Sequence, residues 1–138
     1  MYLGRTCKGE SDMLRIVEIC PSTRGRGGYV VLQNCGLVSV NLKGWAICSE
    51  AYLQNDHERL AQEIYIFKAD EAIQPYTRVV LLHGKGEDGW TDTIDGRKAY
   101  CAYWNSPTPI WKPGARIHLL HIQGSQRVPS NEVVTVSR

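Results

Sequence analysis

The residues best suited to chemistry are one histidine and three aspartates that stand close together in a Gly-rich stretch. His83 is followed by Asp88, Asp92 and Asp95. An imidazole with carboxylates is a set that binds a divalent cation or carries acid–base catalysis. One hypothesis is therefore a small metal-dependent hydrolase that uses the His83–Asp95 loop. The alternative is a solvated, flexible loop without catalytic function.

The remaining histidines and the cysteines form no familiar site. His118 and His121 are three positions apart on a predicted strand, so they point to opposite faces and need the His83 loop to complete a metal site. Cys101 lies in an apolar run and is predicted to be a core residue, not a nucleophile. We expect most cysteines to be reduced, and one disulfide is compatible with an oxidising compartment. The five cysteines are widely spaced and contain no C-x-x-C pair: Cys7, Cys20, Cys35, Cys48 and Cys101.

Signature motifs of enzymes and cofactor-binding proteins are missing from the sequence. It has no G-x-S-x-G, no H-E-x-x-H and no Cys/His nucleophile pattern. We therefore expect no enzyme and no cofactor. A non-catalytic interaction module is the preferred hypothesis.

Cationic side chains are the first candidates for binding a partner. Arg24 and Arg26 are spaced by glycine in a predicted loop, where they can reach a phosphate backbone or an acidic protein surface. Arg97 and Lys98, with Lys112 and Arg116, flank two later strands and suggest a basic edge. The loop arginines support a nucleic-acid-binding module as the alternative function, and ordinary solubilising charge is the other interpretation.

Trp90 is the aromatic residue that we expect to be exposed, because it stands in a polar, Gly-rich loop. An exposed tryptophan is a common anchor in protein interfaces. The alternative interpretation is that Trp90 packs against other side chains and has a structural role. We expect a protein to be the partner, and the terminal strand Glu132–Val136 is a candidate edge for a homodimer.

Composition limits the class of protein. The chain has 138 residues, 43% hydrophobic residues and a formal net charge of +2, which is typical of a soluble globular domain. No apolar run approaches the roughly 20 residues that span a bilayer. The N-terminus lacks the apolar core of a signal peptide, so we expect a cytoplasmic protein. We expect residues 1–13 to form a flexible N-terminal segment and residues 14–138 to form one domain.

Short runs of β-branched and aromatic residues recur between Gly, Pro, Asn and Asp clusters, which is typical of an all-β protein. Two turn signals stand out: Asn34-Cys35-Gly36 predicts positive φ, and Lys112-Pro113-Gly114 predicts a turn with Pro first and Gly next. Residues 50–63 are predicted to be a long loop with one helical turn. The predicted strands are Leu14–Cys20, Gly28–Asn34, Ser39–Leu42, Trp45–Ser49, Ile64–Lys68, Arg78–His83, Arg97–Tyr103, Arg116–Ile122 and Glu132–Val136.

Three consecutive pieces of sequence resemble the lamin-tail domain family. Tyr29-Val30-Val31-Leu32-Gln33-Asn34 matches an opening strand "Y-V-x-L-x-N", Val40-Asn41-Leu42 matches "V-x-L", and Gly44-Trp45-x-Ile47 matches "G-W-x-I". They stand in the order and spacing of the family. The resemblance implies an immunoglobulin-like β-sandwich of about 8–9 mostly antiparallel strands. It also implies recognition of proteins, and in some relatives of DNA.

The resemblance extends over most of the chain, roughly from residue 14 to 136. Tyr65-x-Phe67 matches an aromatic strand, and Gln74-Pro75 leads into an apolar strand as in the family pattern, with Tyr76 in place of the usual Gly. Residues 114–124 resemble the closing hairpin, although Ala115 and His121 replace acidic residues. Residues 106–113 look like an insertion, which leaves open whether Trp104 or Trp111 holds the family's tryptophan position.

The alternation of side chains explains why these motifs specify a fold. Val30 and Leu32 point to the same side of a strand, as do Trp45 and Ile47, so each pair is predicted to lie in the core. Trp45 is predicted to be a structural residue that anchors the packing between two sheets.

Overall fold

The computed structural model of the chain describes residues 3–4, 14–21, 27–54, 63–106, 110–123, 126–127 and 132–136. Within these ranges the chain forms thirteen strands and one helix, α1 (Glu50–Gln54). The strands are β1 (Leu3–Gly4), β2 (Leu14–Cys20), β3 (Tyr29–Asn34), β4 (Val40–Asn41), β5 (Trp45–Ser49), β6 (Ile64–Ile66), β7 (Ala72–Ile73), β8 (Arg78–His83), β9 (Gly89–Asp92), β10 (Lys98–Trp104), β11 (Arg116–Gln123), β12 (Gln126–Arg127) and β13 (Glu132–Thr135).

The larger sheet has six strands in the order β1-β2-β3-β8-β10-β9. All neighbours are antiparallel except β8 and β10, which are parallel. The chain therefore leaves β8, forms β9 and returns as β10 between the two. This path places β9 at the edge of the sheet.

The second sheet has five strands. Its order is β12-β11-β5-β6, and β13 pairs with β11 on the side away from β5. A small antiparallel ribbon of β4 and β7 completes the strand pairing. The prediction of an all-β sandwich with mostly antiparallel strands is confirmed.

The main core lies between the two large sheets. Val30 and Leu32 of β3 are fully buried there, as the alternation predicts. Trp45 and Ile47 of β5 enter the same core from the other sheet, so the second predicted pair is also confirmed. Trp111 contributes the largest fully buried side chain.

The helix α1 covers the outer face of the second sheet. All five residues of β5 are buried, because Ala46 and Cys48 pack beneath Tyr52 and Leu53 of the helix. The Ser49 hydroxyl accepts a hydrogen bond of 3.1 Å from the Tyr52 N–H, which caps the first turn of the helix. The predicted helical turn is thus present at the start of residues 50–63, and residues 55–62 lie outside the described part of the chain.

All nine predicted strands are present, and β2, β5 and β8 have the predicted bounds. The sequence prediction missed β1, β7, β9 and β12. Three of these have two residues, too few to show alternation, and β9 is a polar edge strand. In β1, Leu3 and Gly4 pair with Ile19 and Glu18 of β2. The other residues of 1–13 lie outside the described ranges, so a flexible N-terminal segment stays a prediction.

Gly44 explains why a glycine precedes the motif tryptophan. Its φ of 92° lies in the left-handed region. A Cβ at this position would stand 2.9 Å from the carbonyl oxygen of Ile122. Its N–H donates to Phe67 and its carbonyl accepts from Ile122, so the turn connects β5 with the neighbouring strands.

Candidate partner-binding groove

Three turns project from the same end of the six-stranded sheet. At this end β3 and β9 finish, while β8 and β10 begin. The three turns comprise residues 35–39, 74–77 and 93–97. The strand register places one row of paired residues across this end: Gln33, Arg78, Ala99 and Thr91.

An open cavity of about 960 Å³ lies between the second and third of these turns. We call it the groove. Pro75, Tyr76, Trp90 and Ile94 supply apolar surface, and the cations along it are Arg78, Arg97 and Lys98. Three of the side chains predicted from sequence as binding candidates, Trp90, Arg97 and Lys98, thus lie in one place.

The turn of residues 74–77 is a type II turn with an unusual third residue. The Thr77 N–H donates to the Gln74 carbonyl at 3.1 Å, and Pro75 takes the position that proline favours. Tyr76 then has a φ of 67° and is the only non-glycine residue in the described ranges with positive φ. Such a conformation costs about 1–3 kcal/mol for a residue other than glycine. The Tyr76 side chain is 55% exposed, so burial of its ring does not offset this cost.

Asn34 fixes the strained turn to the sheet. Its carbonyl accepts the Tyr76 N–H at 2.7 Å, and its N–H donates to Thr77 at 3.0 Å. Its fully buried side-chain amide donates to the carbonyls of Ile73 at 2.8 Å and Val38 at 2.9 Å. The prediction that Asn34 and Gly36 supply positive φ is wrong, because neither has it. Asn34 acts through its side chain and joins two of the three turns.

Trp90 is held in place by neighbouring side chains, but part of its surface remains available for contact with a partner. The residue is 41% exposed, which confirms the predicted exposure. The indole N–H donates to the Glu71 carboxylate at 2.7 Å, and the ring meets Tyr100 edge to face with 5.5 Å between centroids. These contacts orient the indole and leave part of its surface open to the groove.

The turn of residues 93–97 is organised by Asp95. Its carboxylate accepts hydrogen bonds from the Thr93 hydroxyl and, at 3.2 Å, from the Arg97 N–H. These bonds hold the pKa of Asp95 below its usual range, and the bond from the Thr93 hydroxyl makes the largest contribution. Gly96 has a φ of 80° and closes the turn. The tip residue, Ile94, is fully exposed.

Exposed apolar side chains concentrate at this end of the sandwich. Seven large hydrophobic residues of the described ranges are exposed, and five of them stand on the three turns or beside the groove. Scattered single hydrophobic residues are normal, whereas a concentration of them marks an interaction surface. The five are Leu37, Val38, Tyr76, Trp90 and Ile94.

The structure places the residues of the predicted basic edge in different parts of the molecule. Arg97 and Lys98 line the groove, where Lys98 stands opposite Asp92 on β9. Arg116 belongs to the other sheet and forms an ion pair of 3.2 Å with Glu50. Lys112 is exposed in the turn before β11. Arg24 and Arg26 lie outside the described residues, so the nucleic-acid hypothesis based on them stays a prediction.

The histidines and Asp88 of the hydrolase hypothesis each contact a different part of the molecule. His83 shares a hydrogen bond of 2.6 Å with the Ser106 carbonyl, His118 faces Glu50, and His121 stacks on Trp45. The Asp88 carboxylate accepts the Tyr103 N–H at 3.0 Å. Among the residues that the structure describes, no group of three or more His, Cys, Asp or Glu side chains has the arrangement of a metal site. The hydrolase hypothesis gains no ligand set from this part of the chain.

The described cysteines are of two kinds. Cys35 is disulfide-bonded and buried, whereas Cys20, Cys48 and Cys101 form no disulfide. Cys101 is half-buried on β10 and stands outside the main core, unlike its neighbour Ala102. Burial raises the pKa of the Cys101 thiol, which lowers its thiolate fraction and its reactivity.

Trp104 and Trp111 lie next to each other in the core. Trp104 and Trp111 are both buried, and their ring centroids are 5.6 Å apart. Trp111 also donates its indole N–H to the Gly27 carbonyl at 2.6 Å. Both rings therefore belong to one packed unit of the core.

Within the described residues, the only helix has five residues and is too short to cross a membrane. No protein-family model matches the chain, and no curated protein matches it.

Proposed function

We propose that the chain is a non-catalytic interaction module of the lamin-tail type, and that it binds a protein partner in the groove. The observation that carries this proposal is the concentration of exposed apolar side chains on three turns at one end of the sandwich. Loops held by a rigid β-scaffold are a common place for recognition.

Tyr76 supports the proposal independently. A glycine would fit the left-handed position of this turn without strain, yet the chain carries a large aromatic residue there. Strained residues cluster at functional sites, where the side chain contributes something that stability does not require. A ring displayed at the rim of the groove is suited to contact a partner.

The chemistry of the groove indicates the kind of partner. Aromatic rings of Tyr76 and Trp90 offer flat apolar contact, and tyrosine and tryptophan are frequent hot spots of interfaces. Arg78, Arg97 and Lys98 outnumber the two acidic residues of the lining, Asp92 and Asp95, and the Asp95 carboxylate is occupied by its own turn. The partner that fits is a protein segment with apolar and acidic side chains.

A peptide-display selection tests this proposal. Random linear peptides are selected against the full chain, and the affinity of enriched peptides is measured by fluorescence anisotropy. Tyr76→Ala and Arg97→Glu should each weaken binding about tenfold, which corresponds to about 1.4 kcal/mol. We expect the enriched peptides to contain acidic residues.

Matched controls use positions outside the groove. Ile66→Ala removes an exposed apolar side chain on the other sheet, and Lys112→Glu reverses a charge on an exposed turn. Neither should change peptide affinity. If no enriched peptide distinguishes the groove variants from these controls, the proposed function is wrong.

A further inference from the structure

The strand β9 presents a free backbone edge beside the groove. In the part of the chain that the structure describes, it is the last strand of its sheet and pairs only with β10. Trp90, Thr91 and Asp92 are all exposed. Its pairing has no bulge and its sequence has no proline or lysine, which are common means of protecting an edge from another strand.

The direction of each backbone group on β9 follows from the register. In an antiparallel pair, residues that exchange hydrogen bonds alternate with residues whose N–H and C=O point away from the partner strand. The Thr93 N–H donates to the Arg97 carbonyl at 2.7 Å, so Thr93 faces its partner strand. Two residues along, Thr91 therefore faces Ala99 at a hydrogen-bonded position of the ladder. Trp90 and Asp92 direct their backbone groups outward.

The other side of β10 confirms this alternation. The Gly84 N–H donates to the Trp104 carbonyl, so the even-numbered residues of β10 point toward β8. The Tyr103 N–H points the other way, where the Asp88 carboxylate accepts it. Odd-numbered residues of β10 therefore face β9. By this alternation, the N–H and C=O of Trp90 and Asp92 point away from β10.

We infer that an extended, acidic segment of a partner protein adds to β9 as a seventh strand of the larger sheet and places its side chains in the groove. This inference rests on the proposed function and specifies how the partner binds. The two outward N–H and two outward C=O groups supply main-chain hydrogen bonds, and neighbouring side chains supply selectivity. An apolar residue of the segment lies beside Trp90, and an acidic residue lies near Arg97 at the end of the strand.

A partner segment fits this edge better than a second copy of the chain does. A strand of four residues buries too little surface by itself for a stable dimer, which needs roughly 800 Å² on each partner. A peptide that continues from β9 into the groove gains the additional contact with the turns. The groove has three cations, Arg78, Arg97 and Lys98, whereas this chain's own β9 supplies a single acidic residue, Asp92, so a peptide with several acidic residues complements the groove better.

A scan of N-methylated peptides tests the inference. In a peptide selected for groove-dependent binding, each backbone N–H is replaced in turn by an N-methyl group. Strand addition predicts that every second substitution opposite β9 weakens binding at least about tenfold and that the intervening ones have little effect.

The protein itself provides two further measurements. Asp92→Pro removes an outward N–H and should weaken binding about tenfold, whereas Asp92→Asn keeps that N–H and should not. Because this N–H points away from β10, the proline variant should keep the pairing of β9 with β10 and fold, and a thermal melt checks that. In the wild type, amide hydrogen exchange of Trp90 and Asp92 should slow when the peptide binds, while that of Thr91 should change little.

The possible failures are distinguishable. If N-methylation changes the affinity at no peptide position in the alternating pattern, while Tyr76→Ala still weakens binding, strand addition is overturned and the proposed function remains intact. An absence of any groove-dependent peptide contradicts the proposed function. A concentration-dependent mass in analytical ultracentrifugation that Asp92→Pro abolishes would also overturn the inference, because the edge would then pair with a second copy.

Discussion

Two turns of this chain have the same geometry but different residues at the critical position. In residues 112–115, Pro113 is followed by Gly114 with a φ of 88°, and the Ala115 N–H closes the turn on Lys112 at 2.9 Å. In residues 74–77, Pro75 is followed by Tyr76 with a φ of 67°. The first turn adjoins the buried Trp111, and the second forms the rim of the groove.

This difference shows where the chain favours stability and where it does not. Beside the core, the sequence uses the residue that the backbone prefers, and local preference agrees with the fold. Beside the groove, it uses an aromatic residue that the backbone disfavours. Real proteins break such local rules mainly at functional sites. Changes on the core side should therefore alter stability alone, and changes on the groove side should alter binding.

The largest effect is expected for Trp45→Ala in the core. Trp45 is 4% exposed, and its ring stacks on His121 with 4.5 Å between centroids. Removing the ring leaves a cavity between the sheets and should lower the free energy of unfolding by about 3–5 kcal/mol. Denaturant unfolding measures the loss, and peptide affinity of the folded protein should not change. A loss below about 1 kcal/mol would contradict a core position for Trp45.

The second prediction concerns the regular turn. Gly114→Ala forces a Cβ into the left-handed region and should destabilise the protein by about 1–2 kcal/mol, again without effect on peptide binding. Chemical denaturation compares the variant with wild type. Pro113→Ala is the control, since it relaxes the same turn without adding a Cβ where φ is positive. Equal stability of Gly114→Ala and wild type would contradict the prediction, because it would mean that position 114 accepts a Cβ without strain.

The core could be predicted from sequence because it depends on local alternation. The apolar pairs in β3 and β5 repeat every second residue, and the pattern specifies which face is buried. Lys112-Pro113-Gly114 predicted its turn because each residue matches the local backbone requirement. These signals need no knowledge of the neighbouring strands.

The groove was predictable only in part, because it depends on contacts between distant segments. Trp90 and Arg97 could be selected as candidates by type, and Tyr76 stood out as a departure from the family pattern. Their common location follows from the parallel pairing of β8 with β10, which no local pattern encodes. The strand β9 was missed because Gly-Trp-Thr-Asp has no apolar alternation, and its place at the edge is set by register alone.

The third prediction concerns the irregular turn of residues 74–77, where the opposite kind of substitution should stabilise the protein. Tyr76→Gly should raise the free energy of unfolding by about 1 kcal/mol, because glycine adopts the left-handed conformation without strain. Tyr76→Ala keeps the strain and should not stabilise. Both variants should lose peptide affinity, since both lack the ring. If Tyr76→Gly is no more stable than Tyr76→Ala, the strain assigned to this turn is absent.

The smallest expected effect is a pH dependence that separates the two regions without a mutation. Burial lowers the pKa of both His118 and His121 from the ordinary value of 6.5, and the Glu50 carboxylate opposes this only for His118. The folded state then binds protons less tightly than the unfolded chain. The stability contributed by these histidines is present above pH 6.5 and is lost as pH falls through their lower folded values.

Urea unfolding between about pH 7 and pH 5 measures this loss. The described groove lining contains no histidine, so peptide affinity should stay constant over the same range. His121→Phe retains an aromatic ring against Trp45 and should flatten part of the stability profile. A peptide affinity that falls together with stability would mean that the groove depends on the packing of the second sheet, and the separation of the two regions would fail.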